Sequence, residues 1–398
     1  MKDLKPVLKK ITEIEDLRRV AERKVPRMFY DYVDSGSWTE TTYRSNETDF
    51  DRIKLRQRVL VDMDNRSLAT QMIGESVNMP VAIAPTGFTG MMWADGEIHA
   101  ARAAEKFGVP FSLSTMSICS IEDIATHTSK PFWFQLYVMR DQDYMANLVQ
   151  RAKDANCSAI LTADLQVMGQ RHKDIKNGLS APPKPTLTNI MNLMTKPQWC
   201  MNMLGTKRRS FGNIVGHAKG VEDLSSLSSW TEEQFDPRLS WDDVARIKDM
   251  WGGKLIIKGI MEPEDAIMAA RSGADALVVS NHGGRQLDGA LSSISALSDI
   301  VQAVHAENSD IEVWLDSGIR SGQDVLKAIS LGAKGTMIGR AFLYGLGAYG
   351  EDGVRRALEI IYKECDISMA FCGHTDINKV TDDILVKGTY ENLKVGNF

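Results

Sequence analysis

The stretch "ADALVVSNHGGRQLDG", residues 274–289, decides how the chain is read. Its first half is a short apolar run ending in paired valines, the composition of a buried strand. Its second half puts His282, two glycines, Arg285 and Asp288 into one turn. A strand that runs into so reactive a loop points to an α/β enzyme, because such folds carry their chemistry on the loops at strand ends.

Working outward, the same pattern of a short β-branched run closing on polar or glycine residues recurs along the chain. It gives "VAIAP" (81–85), "PFSLS" (110–114), "FWFQLYV" (132–138) and "AILTAD" (159–164) before the insertion described below. After it come "LIIKG" (255–259), "ALVVSN" (276–281), "VWLDSG" (313–318) and "GTMIGR" (335–340). Between most of them lie helix-like stretches such as "EIHAARAAEKFG" and "SGQDVLKAISLGA", with apolar residues at three and four spacing and glycine near the C-terminal end. Eight strands alternating with helices is the count of a (β/α)8 TIM barrel in the α/β class. The expected organisation is one domain over 1–398, with an N-terminal helical cover (1–80), the barrel (81–365) and a C-terminal tail (366–398). A long insertion after strand 4 occupies 175–235. "GLGAYG" (345–350) fits a dinucleotide-binding glycine pattern, but it follows the last strand inside a helical stretch, where packing is the expected use.

Bulk properties narrow the function. The chain is 43% apolar and 25% charged with a net charge of −5, so it lacks the basic field that nucleic-acid binding needs. The N-terminus carries charges throughout, with no secretory core, and no apolar run is long enough to span a bilayer. A cytoplasmic protein, or one on the inner face of the cytoplasmic membrane, is expected. The five cysteines form no Cys-x-x-Cys pair, so neither a disulfide framework nor a metal site is expected.

Strand ends then supply the candidate site. Gln135 and Tyr137 end the third strand, Thr162 and Asp164 the fourth, Lys258 the fifth, and His282 and Arg285 the sixth. Asp316, Gly318 and Arg320 follow the seventh, and Gly339 and Arg340 the eighth, where barrels commonly hold a phosphate. With a phosphate there, Lys258 and Gln135 can face a flat ring, and Gly283 and Gly284 let backbone approach it. Flavin mononucleotide (FMN) suits this arrangement better than a dinucleotide. His282 reads as a general base held by Asp164, while Arg285 and Arg171 offer forked donors to a carboxylate.

Together "SNHGGRQLDG", "FQLYV", "LTADLQVMGQRHKDIKN", "IIKG", "LDSGIRSG" and "MIGRAF" resemble the FMN-dependent 2-hydroxy acid dehydrogenases and oxidases, above all the bacterial L-lactate and mandelate dehydrogenases. The resemblance implies FMN at the mouth of a barrel, usually in a homotetramer. It implies Tyr32 and Tyr137 as further substrate contacts, Tyr137 near the reacting hydroxyl, and His282 with Asp164 as the catalytic pair. It assigns FMN to Pro85, Thr86, Gly87, Ser114, Gln135, Thr162, Lys258, Asp316, Arg320, Gly339 and Arg340, with Lys258 stabilising charge on the reduced ring. The implied reaction takes an L-2-hydroxy acid to the 2-oxo acid, with L-lactate to pyruvate first and mandelate or longer acids as the alternative. Gly87 replaces the alanine of many oxidases of the family, and Met116 a bulky aromatic, which bear on the electron acceptor and the side-chain pocket.

The insertion adds a further expectation. From Ile175 to Gly220 there are seven Lys or Arg residues and no acid, beside Met191, Met194, Trp199, Met201, Met203 and Leu204. Such a segment suits an anionic bilayer surface, over 186–216, with a quinone or cytochrome as electron acceptor. "KPQWCMNML" (196–204) resembles the matching segment of membrane-associated members of the family. A lid over the active site is the other reading of this segment. Two different classes of function compete with the whole: an aldolase forming a Schiff base on Lys258, and a membrane-attached barrel that binds without catalysis.

Overall fold

The computed structural model describes residues 6–162, 167, 169–179, 186–218, 221, 234 and 237–390. A 3-10 turn (Pro6–Lys10) and helices α1 (Ile14–Lys24), α2 (Arg27–Val33) and α3 (Thr41–Arg52) precede a hairpin of β1 (Thr70–Met72) and β2 (Glu75–Val77). Eight parallel strands follow: β3 (Val81–Ile83), β4 (Ser112–Ser114), β5 (Trp133–Leu136), β6 (Ala159–Thr162), β7 (Lys254–Ile260), β8 (Ala276–Val279), β9 (Glu312–Leu315) and β10 (Gly335–Ile338). Each pairs with its sequence neighbour, β10 pairs with β3, and a parallel bridge from Ile83 to Phe111 closes the ring. All eight expected strands are present; seven are shorter than their apolar runs, and β7 is longer than its run by one residue at each end.

The crossover helices are α4 (Thr89–Met92), α5 (Gly96–Phe107), α6 (Ile121–His127) and α7 (Gln142–Asp154), then α8 (His172–Lys176), α9 (Leu187–Met194) and α10 (Pro197–Gly205) in the insertion. They continue as α11 (Trp241–Trp251), α12 (Pro263–Arg271), α13 (Ser293–Ala306), α14 (Gly322–Ser330) and α15 (Arg340–Phe371). Local sequence starts several of them: reciprocal capping boxes join Ser120 to Asp123, Ser240 to Asp243 and Ser321 to Asp324.

Strand alternation sorts the core into two parts. Leu113, Phe134, Ile160, Leu255, Leu277 and Val313 point outward and pack under the helices, while Ala82, Trp133, Ala159, Ile256, Ala276 and Trp314 fill the barrel. The two inward tryptophans stack at 5.2 Å, and the small alanines on neighbouring strands make room for them. The β1–β2 hairpin closes the N-terminal end: Met72 belongs to the interior cluster, and the Trp133 indole donates to Glu75 at 3.0 Å. The glycines of "GLGAYG" serve packing in α15. A Cβ at Gly345 would lie 2.4 Å from the Gly353 carbonyl, and one at Gly347 would lie 2.9 Å from Val25. Gly350, at φ 61°, bends the helix.

Because Trp314 is fully buried in a closed barrel, Trp314→Ala leaves a cavity that neighbouring strands cannot collapse to fill. A loss of about 3–5 kcal/mol in denaturant unfolding is expected, and a loss below about 1 kcal/mol would mean that the interior stack contributes little.

Candidate active site

On several barrel strands the inward position changes from apolar to polar toward the C-terminal end, which builds a polar floor at the mouth. Ser114, Gln135, Lys258, Ser280, Asp316 and Gly339 stand two residues beyond inward Ser112, Trp133, Ile256, Val278, Trp314 and Met337. The Lys258 ammonium donates to Ser280 Oγ at 2.7 Å and pairs with Asp316 at 3.2 Å. Ser280 Oγ also accepts from the His282 amide at 3.1 Å, and the Ser317 hydroxyl, bound to Asp316, accepts from the Gly283 amide at 2.9 Å. The floor is thereby tied to the loop that carries His282.

That loop is a single 3-10 turn, His282–Gly284, with φ of 56°, 67° and 71° at its three residues. The two glycines are needed for a reason beyond access to a ring: a Cβ at Gly283 would lie 2.7 Å from the Arg340 guanidinium, and one at Gly284 would lie 2.6 Å from the Tyr43 backbone. Asn281 forms a reciprocal amide pair with Asn46, at 2.8 Å in each direction. Asp288 accepts from Thr39, Thr41 and the Thr42 amide, so it caps α3 from a distant part of the chain. Asp164, the expected partner of His282, lies outside the described residues, and Thr162 is placed by its backbone at the end of β6.

Beside this turn, two guanidiniums face one phenol. Arg285 lies 4.6 Å and Arg171 5.7 Å from the Tyr32 ring. Arg171 is held by Asp174 at 2.5 Å, and Arg285 donates to the carbonyls of Tyr32 and Ser35. Burial, and then the like charge of Arg171, pull Arg285 down to about 10. Two close cations in a buried site favour an anion, and a carboxylate accepts two forked donors. Tyr137 is buried just beyond β5, its amide donating to Thr115 Oγ1 at 3.2 Å.

At the phosphate end, α15 begins at Arg340 with no side-chain cap on its N-terminus, leaving amide donors for an anion. The Arg340 guanidinium donates to the carbonyls of Val33, Gly283 and Ser35 at 2.7–2.9 Å and lies on Tyr43. Arg320 pairs with Glu47 at 2.9 Å. Gly318, at φ 98°, lets α3 approach; a Cβ there would meet the Asn46 carbonyl at 1.9 Å. Half-buried Pro85, Thr86 and Gly87 follow β3, and the Thr86 methyl is 3.8 Å from where a Cβ on Gly339 would stand.

The residues present fit a flavin phosphate. Gln135 is 1% exposed; its carbonyl accepts from Ser114 at 3.0 Å, yet its amide nitrogen has no hydrogen-bond partner among the described residues. A buried donor of this kind is costly unless a bound acceptor, such as a ring carbonyl, satisfies it. Lys258 beside it, and the uncapped helix at the other end, complete a site for a ring and a phosphate.

Several site-building residues carried no sequence signal. Asp34 accepts from Arg18, Tyr30, Tyr43 and Tyr344 at 2.7–3.3 Å and thereby fixes the loop that follows α2, the helix carrying Tyr32. Phe211, from the end of the insertion, packs edge-on against Phe88 at 4.7 Å, and Phe88 lies 5.1 Å from Tyr32. Fully buried Asn213 donates to Ser117 Oγ at 3.0 Å and to the Ser114 carbonyl at 3.3 Å. Only the pattern "FGN" after a basic run could have pointed to them.

A closed barrel with this mouth defines an enzyme of the flavin-dependent dehydrogenase class. The chain belongs to the FMN-dependent dehydrogenase family, which it matches over residues 21–387, and FMN is its cofactor. It is 44% identical to an L-lactate dehydrogenase of Ectopseudomonas mendocina and to one of Pseudomonas syringae, over 95% of this chain and 99% of each relative. Among solved structures it is similar to the monotopic membrane protein (S)-mandelate dehydrogenase, with TM-score 0.89 and 33% identity over 95% of this chain and 99% of that one. A mandelate oxidase with (S)-4-hydroxymandelic acid matches with TM-score 0.81 and 33% identity, over 94% and 98%.

Two outcomes test the site. Burial alone would raise the Asp34 carboxyl, but hydrogen bonds from Arg18 and Tyr344 and the Arg18 charge hold it far below the usual range. Its stabilising contribution is therefore present above the unfolded carboxylate pKa of about 3.9 and fades as pH falls below it. Asp34→Asn should cost about 3 kcal/mol at pH 7 and about 1 kcal/mol less at pH 3, where the native carboxylate is still ionised, as read by urea unfolding at both values. Arg285→Lys should lower kcat/KM about 100-fold, mainly through KM, because the fork is lost while a charge remains.

Proposed function

We propose that the chain oxidises L-lactate to pyruvate with FMN and passes the electrons to a membrane quinone or cytochrome while resting on an anionic bilayer surface. The observation that carries the substrate class is the pair Arg171 and Arg285 around Tyr32, a carboxylate clamp beside His282. FMN, when bound, supplies the two-electron acceptor; Gln135, Lys258, Ser114, Asp316, the 85–87 backbone and the start of α15 would hold it. The chain's own part is to bind and deprotonate. Arg171, Arg285, Tyr32 and Tyr137 orient the acid, and His282, paired with Asp164, takes a proton from it. A buried ammonium at Lys258 favours negative charge on a neighbouring group.

The L-lactate reading is supported by the two relatives named L-lactate dehydrogenase. A Cβ at Gly87 would stand 3.2 Å from the Met116 carbonyl and 3.5 Å from the Tyr32 hydroxyl, so a larger residue at 87 would press on Met116. Mandelate is the second reading, favoured by the solved relatives.

Membrane contact is supported by α9 and α10. Leu187, Met194 and Leu204 are each more than 70% exposed, α9 has no buried residue, and among the described residues no helix is long and apolar enough to cross a bilayer. The structure trims the expected contact set. Trp199 turns inward, stacking on Phe29 at 5.5 Å and donating to the Met91 carbonyl at 2.8 Å. Met203 is buried, and Arg208 pairs with Asp95 and Asp123. Exposed Lys176 and Lys207 remain as surface charge. A homotetramer is proposed from the family likeness alone.

Anaerobic L-lactate should bleach the flavin band near about 450 nm, with mandelate acting more slowly. His282→Gln should keep the flavin and reduce it about a thousandfold more slowly. A flavin that ignores lactate but is bleached by mandelate would transfer the assignment to the aromatic acid.

A further inference from the structure

Outside the barrel mouth, a cavity of about 130 Å³ lies between the end of α1, the start of α10 and the α4 and α15 helices. Arg23, Lys24 and Lys196 line it together with Met92, Trp93 and Trp199, and no carboxylate does. We propose that this cavity binds the phosphate of an anionic phospholipid, with the three cations around the phosphate and the two indoles against its glycerol. The inference rests on the membrane-surface reading of residues 186–216.

The cations are held in place without being neutralised. Lys24 donates to the Ala348 carbonyl at 2.7 Å and lies 4.2 Å from the Tyr349 ring. Lys196 donates to the carbonyls of Arg23 and Glu22. An ammonium has three N–H donors, so each lysine keeps capacity for a phosphate oxygen while its position is already fixed. Burial lowers both lysines below their ordinary value, and for Lys196 the charge of Glu22 opposes this only in part; a bound anion would reverse the penalty. The aromatic wall is equally fixed, with Trp199 anchored to Met91 and Phe29.

The fold also says why the anion should be a lipid's. Thr195, Lys196 and Pro197, which line the cavity, are the joint between α9 and α10. On either side of that joint Met191, Met194, Met201 and Leu204 are exposed. Acyl chains leaving the cavity would meet these side chains, whereas free phosphate would use the cations alone.

The test titrates the flavin-loaded protein with monomeric dihexanoyl-phosphatidylglycerol, reading tryptophan fluorescence, and with inorganic phosphate in parallel. The lipid should saturate and phosphate should bind far more weakly. Lys24→Met combined with Lys196→Met, at full flavin content, should weaken lipid binding about 30-fold. It should also remove any preference for phosphatidylglycerol over phosphatidylcholine vesicles, while flavin reduction by lactate stays unchanged. The proposal is overturned if the wild-type protein ignores the monomeric lipid, if phosphate binds as tightly as lipid, or if the double variant keeps wild-type affinity. Monomer binding without vesicle binding would leave the cavity standing and remove the membrane reading. Vesicle binding without headgroup preference or monomer binding would do the reverse.

Discussion

The barrel mouth is completed by a loop that does not belong to the barrel, and the carboxylate of Asp34 is what holds that loop in register. Nearly buried, it takes hydrogen bonds from Arg18 on α1, Tyr30 on α2, Tyr43 on α3 and Tyr344 on α15. Arg340 grips the carbonyls on either side of it, at Val33 and Ser35, and reaches Gly283 with its remaining donor. The Asp34 carboxylate therefore positions three N-terminal helices and the start of α15 relative to one another, and Arg340 ties the His282 turn to them. Removing a buried charge with so many partners leaves each of them unsatisfied, which is why the arrangement is rigid.

Rigidity at the mouth rests on the ordering of the barrel interior below it. Alanines and stacked tryptophans make a dry, close-packed lower layer, and the next inward positions are Ser, Gln, Lys and Asp. The polar groups are buried by the same strands that bury the tryptophans, so their partners must be supplied locally. Lys258, Asp316, Ser280 and Ser317 supply one another, whereas the Gln135 amide lacks a partner among the described residues. A buried donor left over in an otherwise satisfied polar layer suits an acceptor on a bound group.

The insertion links this interior to the outside. Its far end is a core element, with Phe211 against Phe88 and Asn213 beneath Ser114 and Ser117, while α9 and α10 present methionines and leucines to the surroundings. Asn192 accepts from the Arg27 amide at 2.7 Å, so α9 is fastened to the helix that carries Tyr32. The exposed apolar helix and the helix bearing Tyr32 thus share a framework.

Periodicity and strand-end chemistry were enough to read eight strands, their order and the candidates Gln135, Lys258, His282, Arg285 and Asp316, because apolar runs and the residues that end them are local features. The family likeness added Tyr32 and the 2-hydroxy acid class of the substrate. What local pattern could not reveal was which polar groups serve structure. Asp288 stands in the motif with His282 yet caps α3, Arg340 clamps carbonyls, and Trp199 and Arg208 sit in a basic apolar segment but bind inward. Asp34 had no signal at all, since its four donors come from residues spread between 18 and 344. A side chain's partners across such separations are chosen by packing in three dimensions, and only the tertiary structure holds that information.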